Sequence, residues 1–373
     1  MNQQSKFNFF YWKDRYEKDE LEEFNFNQTG LLWLKIKSIT RKEILKDFLK
    51  NNSIHLSSKS LNNQFIESYE LMSKNLELYH MRLDSFIKEK NKQQTKKLDI
   101  KKLISELYKL KLFDWGGDYK NALDRYLVDR YVKIFQSYEI LVSKLDNEID
   151  KAVRGYVFCS WYNHWSSILI EQIFNKHHIV LPAIGKIKKV DFFINDMPFD
   201  LKVTYLPSNF IETKRREKGL KPELSELKQK AKELKISFDS SAVNNSIYYE
   251  ITEKMKDKND KFCKETLIKI HNERLEILKE TIKNPKTLIK NLYEEQGEMR
   301  FDSANRLFLI LVDSKNFDES WKLKRNVNLL EPSIKKYLDS FKNKKIDDLK
   351  IDFRYKNKPQ NFNALSDIIF IIK

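Results

Sequence analysis

Lys188 to Leu206 reads KKVDFFINDMPFDLKVTYL, and two short strands can be traced through it. Val190, Phe192 and Ile194 alternate with Asp191, Phe193 and Asn195. Beyond Asp196-Met197-Pro198, Phe199, Leu201 and Val203 alternate with Asp200, Lys202 and Thr204. Period-two alternation of aromatic and β-branched residues marks a half-buried strand, because successive side chains point to opposite faces. The turn decides how the strands face each other. A loop of two residues (Asp196-Met197) or four (Asn195 to Pro198) sets Ile194 opposite Phe199 and Asp191 opposite Lys202. An odd loop turns one apolar set to the wrong side, which a buried face resists. The pattern therefore places Asp191, Asp200 and Lys202 together, with an apolar layer of Val190, Phe192, Ile194, Phe199, Leu201 and Val203 behind them.

The rest of the chain sets the bounds. With 373 residues, 41% of them hydrophobic, it can bury one large core or two smaller ones. Seven glycines and seven prolines are few for this length and favour long helices. Cys159 and Cys263 lack metal spacing, which points to a reduced, cytoplasmic protein. Met1 to Phe10 lacks the apolar core of a signal peptide. The longest aliphatic runs, Leu307 to Val312 and Ile368 to Ile372, are too short to span a bilayer. A net charge of +16 favours a polyanionic partner, nucleic acid before membrane. Lysine is abundant everywhere, so part of that excess belongs to the general surface.

Residues 1–40 are aromatic-rich and read as a docked segment, with FNFFYW at 7–12 and LLWLKIKSI at 31–39. Helices are expected at 41–52, 61–92, 98–112 (ending near Gly116-Gly117) and 118–150, with a break at Gly155. A strongly apolar helix follows, YVFCSWYNHWSSILIEQIFNKH at 156–177, then a strand HIVLPAI at 178–184 and the hairpin. Residues 208–283 are mostly charged helix, and Asn284-Pro285 opens another that ends near Gly297. NRLFLILVD at 305–313 is a buried strand; SWKLKRN at 320–326 is basic; strands are expected at 349–355 and 366–372. The division is a helical N-terminal domain, 1–150, ahead of a mixed α/β domain, 151–373, with a charged helical insertion at 208–283.

Two carboxylates on neighbouring strands can hold a divalent cation through oxygen. Mg²⁺ takes a few carboxylates and completes its shell with water or phosphate. A lysine beside them can orient hydroxide and stabilise a pentavalent phosphorus. The combination suits metal-assisted phosphodiester hydrolysis.

Asp191, eight intervening residues, then Asp200-Leu201-Lys202 resembles the core motif of the PD-(D/E)XK, or restriction-endonuclease-like, nuclease superfamily. In that family the motif lies on a hairpin of a mixed β-sheet flanked by helices, and a glutamate on the preceding helix often completes the site. Glu171, in SSILIEQIF, matches that position. The resemblance implies that Asp191 and Asp200 hold Mg²⁺ (Mn²⁺ can substitute), with the Leu201 carbonyl as a further ligand. It implies that Lys202 positions the attacking water and that Glu171 binds water or a second metal. Val190 stands where the family usually has proline. The resemblance covers residues 156–206 and, loosely, 305–313. It implies an endonuclease acting on double-stranded DNA in restriction or another defence role, in many relatives as a homodimer. An RNA-directed nuclease and a non-catalytic nucleic-acid-binding or assembly protein on the same fold stay open.

The three-residue signature is common here. Asp99-Lys101, Glu226-Lys228, Glu233-Lys235, Asp313-Lys315 and Asp348-Lys350 share it, and Asp302 with Asp313-Ser-Lys315 is the main competitor. An Asp and a Lys on one strand face are also, in the plain reading, a solvated surface pair of little energetic weight. Lys186, Lys188, Lys189, Lys214, Arg215 and Arg216 flank the hairpin and suit phosphate contact, or simply a solvated face. His164, His177 and His178 have no ligand spacing. Trp161, Tyr162 and Trp165 read as helix core rather than a base-stacking platform.

Overall fold

The computed structural model describes residues 8–373 except 19, 114–122, 243, 259, 296–303 and 356–360; for 146, 147, 186 and 245 it describes the backbone alone. The helix ends expected at Gly116-Gly117 and Gly297, and Asp302, lie outside the described residues.

The fold is mixed α/β. Six strands form one open sheet, β1 (Val180–Ile187), β2 (Val190–Ile194), β3 (Met197–Tyr205), β4 (Arg306–Val312), β5 (Lys350–Phe353) and β6 (Phe362–Ile372), in the order β1-β2-β3-β4-β6-β5. β1, β2 and β3 are an antiparallel meander; β3, β4 and β6 run parallel; β5 closes the far edge antiparallel to β6. β4, RLFLILV, is buried throughout, as a central parallel strand should be.

The hairpin turns differently from the expected register. Ile194 pairs with Met197 and Phe192 with Phe199, so the loop is Asn195-Asp196. Both residues have positive φ, 45° and 65°. That is the conformation of a two-residue hairpin turn twisted to match its strands, and Asn and Asp tolerate it better than most residues. The slip is two residues, so the sidedness survives for Phe192, Ile194 and Phe199, which share one core with Leu201 and Val203 packed against it; Val190, expected in that layer, instead packs at the strand's start in the opposite core with Phe193. Asp191 aligns with Asp200 instead of Lys202.

The side of the sheet holding Phe192 packs against α9 (Asp150–Asn175) and α15 (Val327–Phe341), with Phe174 stacked on Phe192 at 5.0 Å. The other side has two coverings. Over β4 and β6 lie α10 (Ser208–Glu217), α13 (Lys261–Lys283) and α14 (Pro285–Glu295). Over β1 and β2 lie the N-terminal helices, chiefly α2 (Gln28–Ile39), α4 (Leu61–Met72) and α5 (Leu76–Thr95). Phe193 is fully buried among them, so β2 is covered on both faces, not half-buried. One core therefore crosses the boundary expected near residue 150. It includes Trp12, Trp33 and Phe48 together with Leu181, Ile187 and Val190. Lys35, fully buried, pins this layer to the hairpin turn through Asp84 (2.7 Å) and Asp196 (2.9 Å).

Gly155 does not break the chain; α9 runs through it. The single helix expected over 118–150 is several short pieces, including α7 (Leu123–Leu127) and α8 (Tyr138–Lys144), the latter capped by the Ser137 hydroxyl. The insertion is helical, and α11 (Glu223–Glu233), α12 (Asn244–Lys258) and α13 share a small core of their own around Leu227, Ile251 and Ile270. SWKLKRN is no exposed basic strip: Trp321, Leu323, Lys324 and Arg325 are buried. Among the described residues no helix is long and apolar enough to cross a membrane.

Candidate active site

Three elements bring acids together. Asp191 lies on β2 and accepts the Leu201 N–H on Oδ2 at 2.8 Å, which ties its carboxylate to the backbone of β3. Asp200, 6% exposed, donates its own N–H to the Asn305 carbonyl at 3.0 Å. Its Oδ1 accepts from Lys202 Nζ at 2.7 Å and its Oδ2 from Arg306 Nε at 3.1 Å. The parallel register sets Arg306 directly beside Asp200. Arg306 is fully buried, its guanidinium 5.0 Å from the Tyr293 ring centroid. Lys202 reaches from this buried carboxylate towards solvent, its side chain 38% exposed.

Glu171 comes from α9, two turns after Asn163. Burial pushes its carboxyl up to about 7, and the charge of Asp191 adds to the shift. Asp191 is also raised, first by burial and then by the adjacent Asp200 carboxylate; the Leu201 N–H and Lys202 oppose this. Taking like charges out of water together is unfavourable, and the acids respond by holding protons. Both cations of the cluster bond to Asp200, so negative charge is least compensated at Glu171 and Asp191.

Among the described residues no group of three or more His, Cys, Asp or Glu stands assembled to hold a metal. The donor set fits a hard cation all the same. Carboxylate oxygens carry more lone pairs than these hydrogen bonds use, and a divalent ion would relieve the repulsion that raises Glu171 and Asp191.

The other acid-x-lysine triplets have ordinary duties. Asp99 caps α6 (Ile100–Leu107). Glu226 pairs with Arg215 and Lys269, and Glu233 with Lys230. Asp348 accepts the Lys345 N–H. Asp313 accepts the N–H groups of Lys315 and Asn316 and pairs with Lys373 at 2.8 Å. Only in Asp200-Leu201-Lys202 do the side chains of the acid and the lysine of one triplet bond each other among the described residues.

The flanking basic residues divide. Lys188 is exposed beside the hairpin, its N–H bonded to the Tyr16 hydroxyl, and Lys189 holds a positive φ of 63°. Lys214 pairs with Glu217, and Arg216 is exposed. Arg215 is not a phosphate contact. It is fully buried, bonded to Glu226, Glu273 and the Lys221 carbonyl, and holds the insertion together. The side chain of Lys186 lies outside the described residues. His177 bonds Asp339 at 3.0 Å and stacks on His178. Tyr162 is buried with its hydroxyl on the Trp321 carbonyl, whereas Trp161 is half-buried.

Arg306 was not singled out from the sequence. The available signal was an arginine opening a strand, RLFLILV, whose other residues are all apolar: a guanidinium buried there requires an acid on the neighbouring strand.

No protein-family model, curated protein or solved structure matches this chain.

Proposed function

We propose that the chain is a divalent-cation-dependent endonuclease cutting DNA, with a restriction-endonuclease-like catalytic region, acting in restriction or another defence against foreign DNA. The observation that carries this reading is the pairing of Asp191 and Asp200 on adjacent strands, with Lys202 bonded to Asp200 and Glu171 close enough to Asp191 for their charges to interact. A site built only for stability would not bury Glu171 and Asp191 where neighbouring carboxylates push both upward.

Glu171, Asp191, Asp200 and the Leu201 carbonyl would hold Mg²⁺ or Mn²⁺. Such an ion supplies Lewis acidity toward phosphate and lowers the pKa of a bound water. The chain's own part is positional. Arg306 fixes the Asp200 carboxylate from the buried side. The Leu201 N–H fixes Asp191. Lys202 Nζ, at the solvent edge, can direct a water or phosphate oxygen by hydrogen bonding.

One observation favours a second reading. Asp200 is already paired with Arg306 and Lys202, so the cluster can also be seen as a stitch between β3 and β4 in a non-catalytic nucleic-acid-binding protein. Incubation of supercoiled plasmid with the full chain separates the two. Nicking or linearisation in Mg²⁺ that stops in EDTA is the expected result; no cleavage in either Mg²⁺ or Mn²⁺, or cleavage indifferent to EDTA, contradicts the proposal.

A further inference from the structure

The N-terminal half of α9 walls a second feature. With the segment after α6 and the short helices of 123–132, it encloses a groove of about 1110 Å³. Leu112, Tyr126, Val157, Phe158 and Trp161 supply its apolar and aromatic surface. Leu112, Val157 and Phe158 are 71%, 54% and 56% exposed, a concentration of apolar surface that usually marks a binding site.

The rim is cationic. Lys109, Lys111, Arg130, Lys151 and Arg154 line it, against two acids, Glu106 and Glu148. Glu106 is paired with Lys109 and Glu148 with Lys144, each at 2.6 Å, and Arg154 with Asp150 at 2.8 Å, so Lys111, Arg130 and Lys151 are the rim cations outside these pairs. Arg130 lies over the Tyr126 ring. The occupant must therefore bring negative charge and flat apolar faces together. A second copy of this chain would set one cationic rim against another. A duplex offers phosphates but hides its base faces. An unpaired nucleic-acid strand offers both, phosphates to the rim and bases to the rings.

We propose that this groove binds an unpaired strand of DNA and leads it towards the hairpin site. The proposal rests on the nuclease reading for its use, because α9 carries both features: Trp161 and Glu171 are ten residues apart on one helix, a rise of about 15 Å. The singled-out Trp161 then belongs to a stacking surface rather than to the core alone.

The test is fluorescence anisotropy of a labelled oligothymidylate with the full chain in EDTA, where metal-dependent cleavage cannot interfere. Phe158→Ala, at an exposed position, should weaken binding about tenfold. Lys111→Glu with Lys151→Glu should weaken it further and flatten its salt dependence. Groove variants that bind like the wild type overturn the proposal. So does tighter binding of a duplex, of oligouridylate or of an acidic peptide. Plasmid cleavage with no groove effect on strand binding leaves the nuclease standing and removes the groove. A groove effect without any cleavage keeps the strand site and removes the hairpin reading.

Discussion

Glu171→Gln should stabilise the protein at pH 8 and leave its stability unchanged at pH 4.5. In the unfolded chain a glutamic acid loses its proton near 4.5; in the fold Glu171 keeps it to about 7, because burial and the Asp191 charge oppose ionisation. The folded state therefore binds more protons between those values, and stability falls as pH rises through that window. Each pH unit carries ~1.4 kcal/mol, so the loss above pH 7 approaches ~3 kcal/mol. Glutamine cannot ionise and avoids it. For a chain of this length such a difference moves the melting temperature by about 4 °C. The assay is a pair of thermal melts, wild type and variant, at pH 4.5 and pH 8 in EDTA. Mg²⁺ added at pH 8 should raise the wild type more than the variant, since an ion bound there compensates the carboxylate. A difference of the same size at both pH values, or a variant less stable at pH 8, refutes the reasoning.

Arg306→Met leaves the buried Asp200 with Lys202 alone of the two cations that bond it, and urea denaturation should show a loss of ~3–5 kcal/mol. Adding Asp200→Asn should recover part of it, which independent sites would not do. Arg215→Met leaves Glu226 and Glu273 to Lys269 at the edge of the insertion and should cost up to ~3–5 kcal/mol by urea denaturation, while DNA affinity of the folded protein, read by anisotropy, stays unchanged. Lys35→Met should cost less, ~1 kcal/mol by urea denaturation, because Asp84 and Asp196 are 34% and 53% exposed and can turn to water.

The sidedness of the hairpin was legible because it depends only on parity. Any even slip keeps Phe192, Ile194 and Phe199 together, and a buried face punishes odd ones. The register was not. Asn195-Asp196 is a good pair for the left-handed turn observed, yet Pro198 drew the loop too far along the chain. The strands at 178–184, 305–313, 349–355 and 366–372 were visible as short apolar runs, and their pairing order was not, since parallel partners come from distant sequence. The covering of Phe193 by N-terminal helices is likewise long-range: local alternation shows that Phe193 and Phe192 point apart, not that both sides are filled. Asp191, Asp200, Lys202 and Glu171 could be picked from sequence because three sit within twelve residues and the fourth on the helix just before. Arg306 enters by a parallel pairing 106 residues from Asp200. Arg215 shows the reverse error, since a KRR run looks solvated until the acids of later helices are placed around it.

The most direct test of the hairpin as a catalytic centre is the initial rate of plasmid cleavage by Lys202→Ala in Mg²⁺. Lys202 is the one cluster member with substantial solvent exposure, so its removal should leave the fold intact, as circular dichroism can verify. The expected rate is at least ~100-fold below the wild type. A folded Lys202→Ala protein that cuts at the wild-type rate would contradict the assignment.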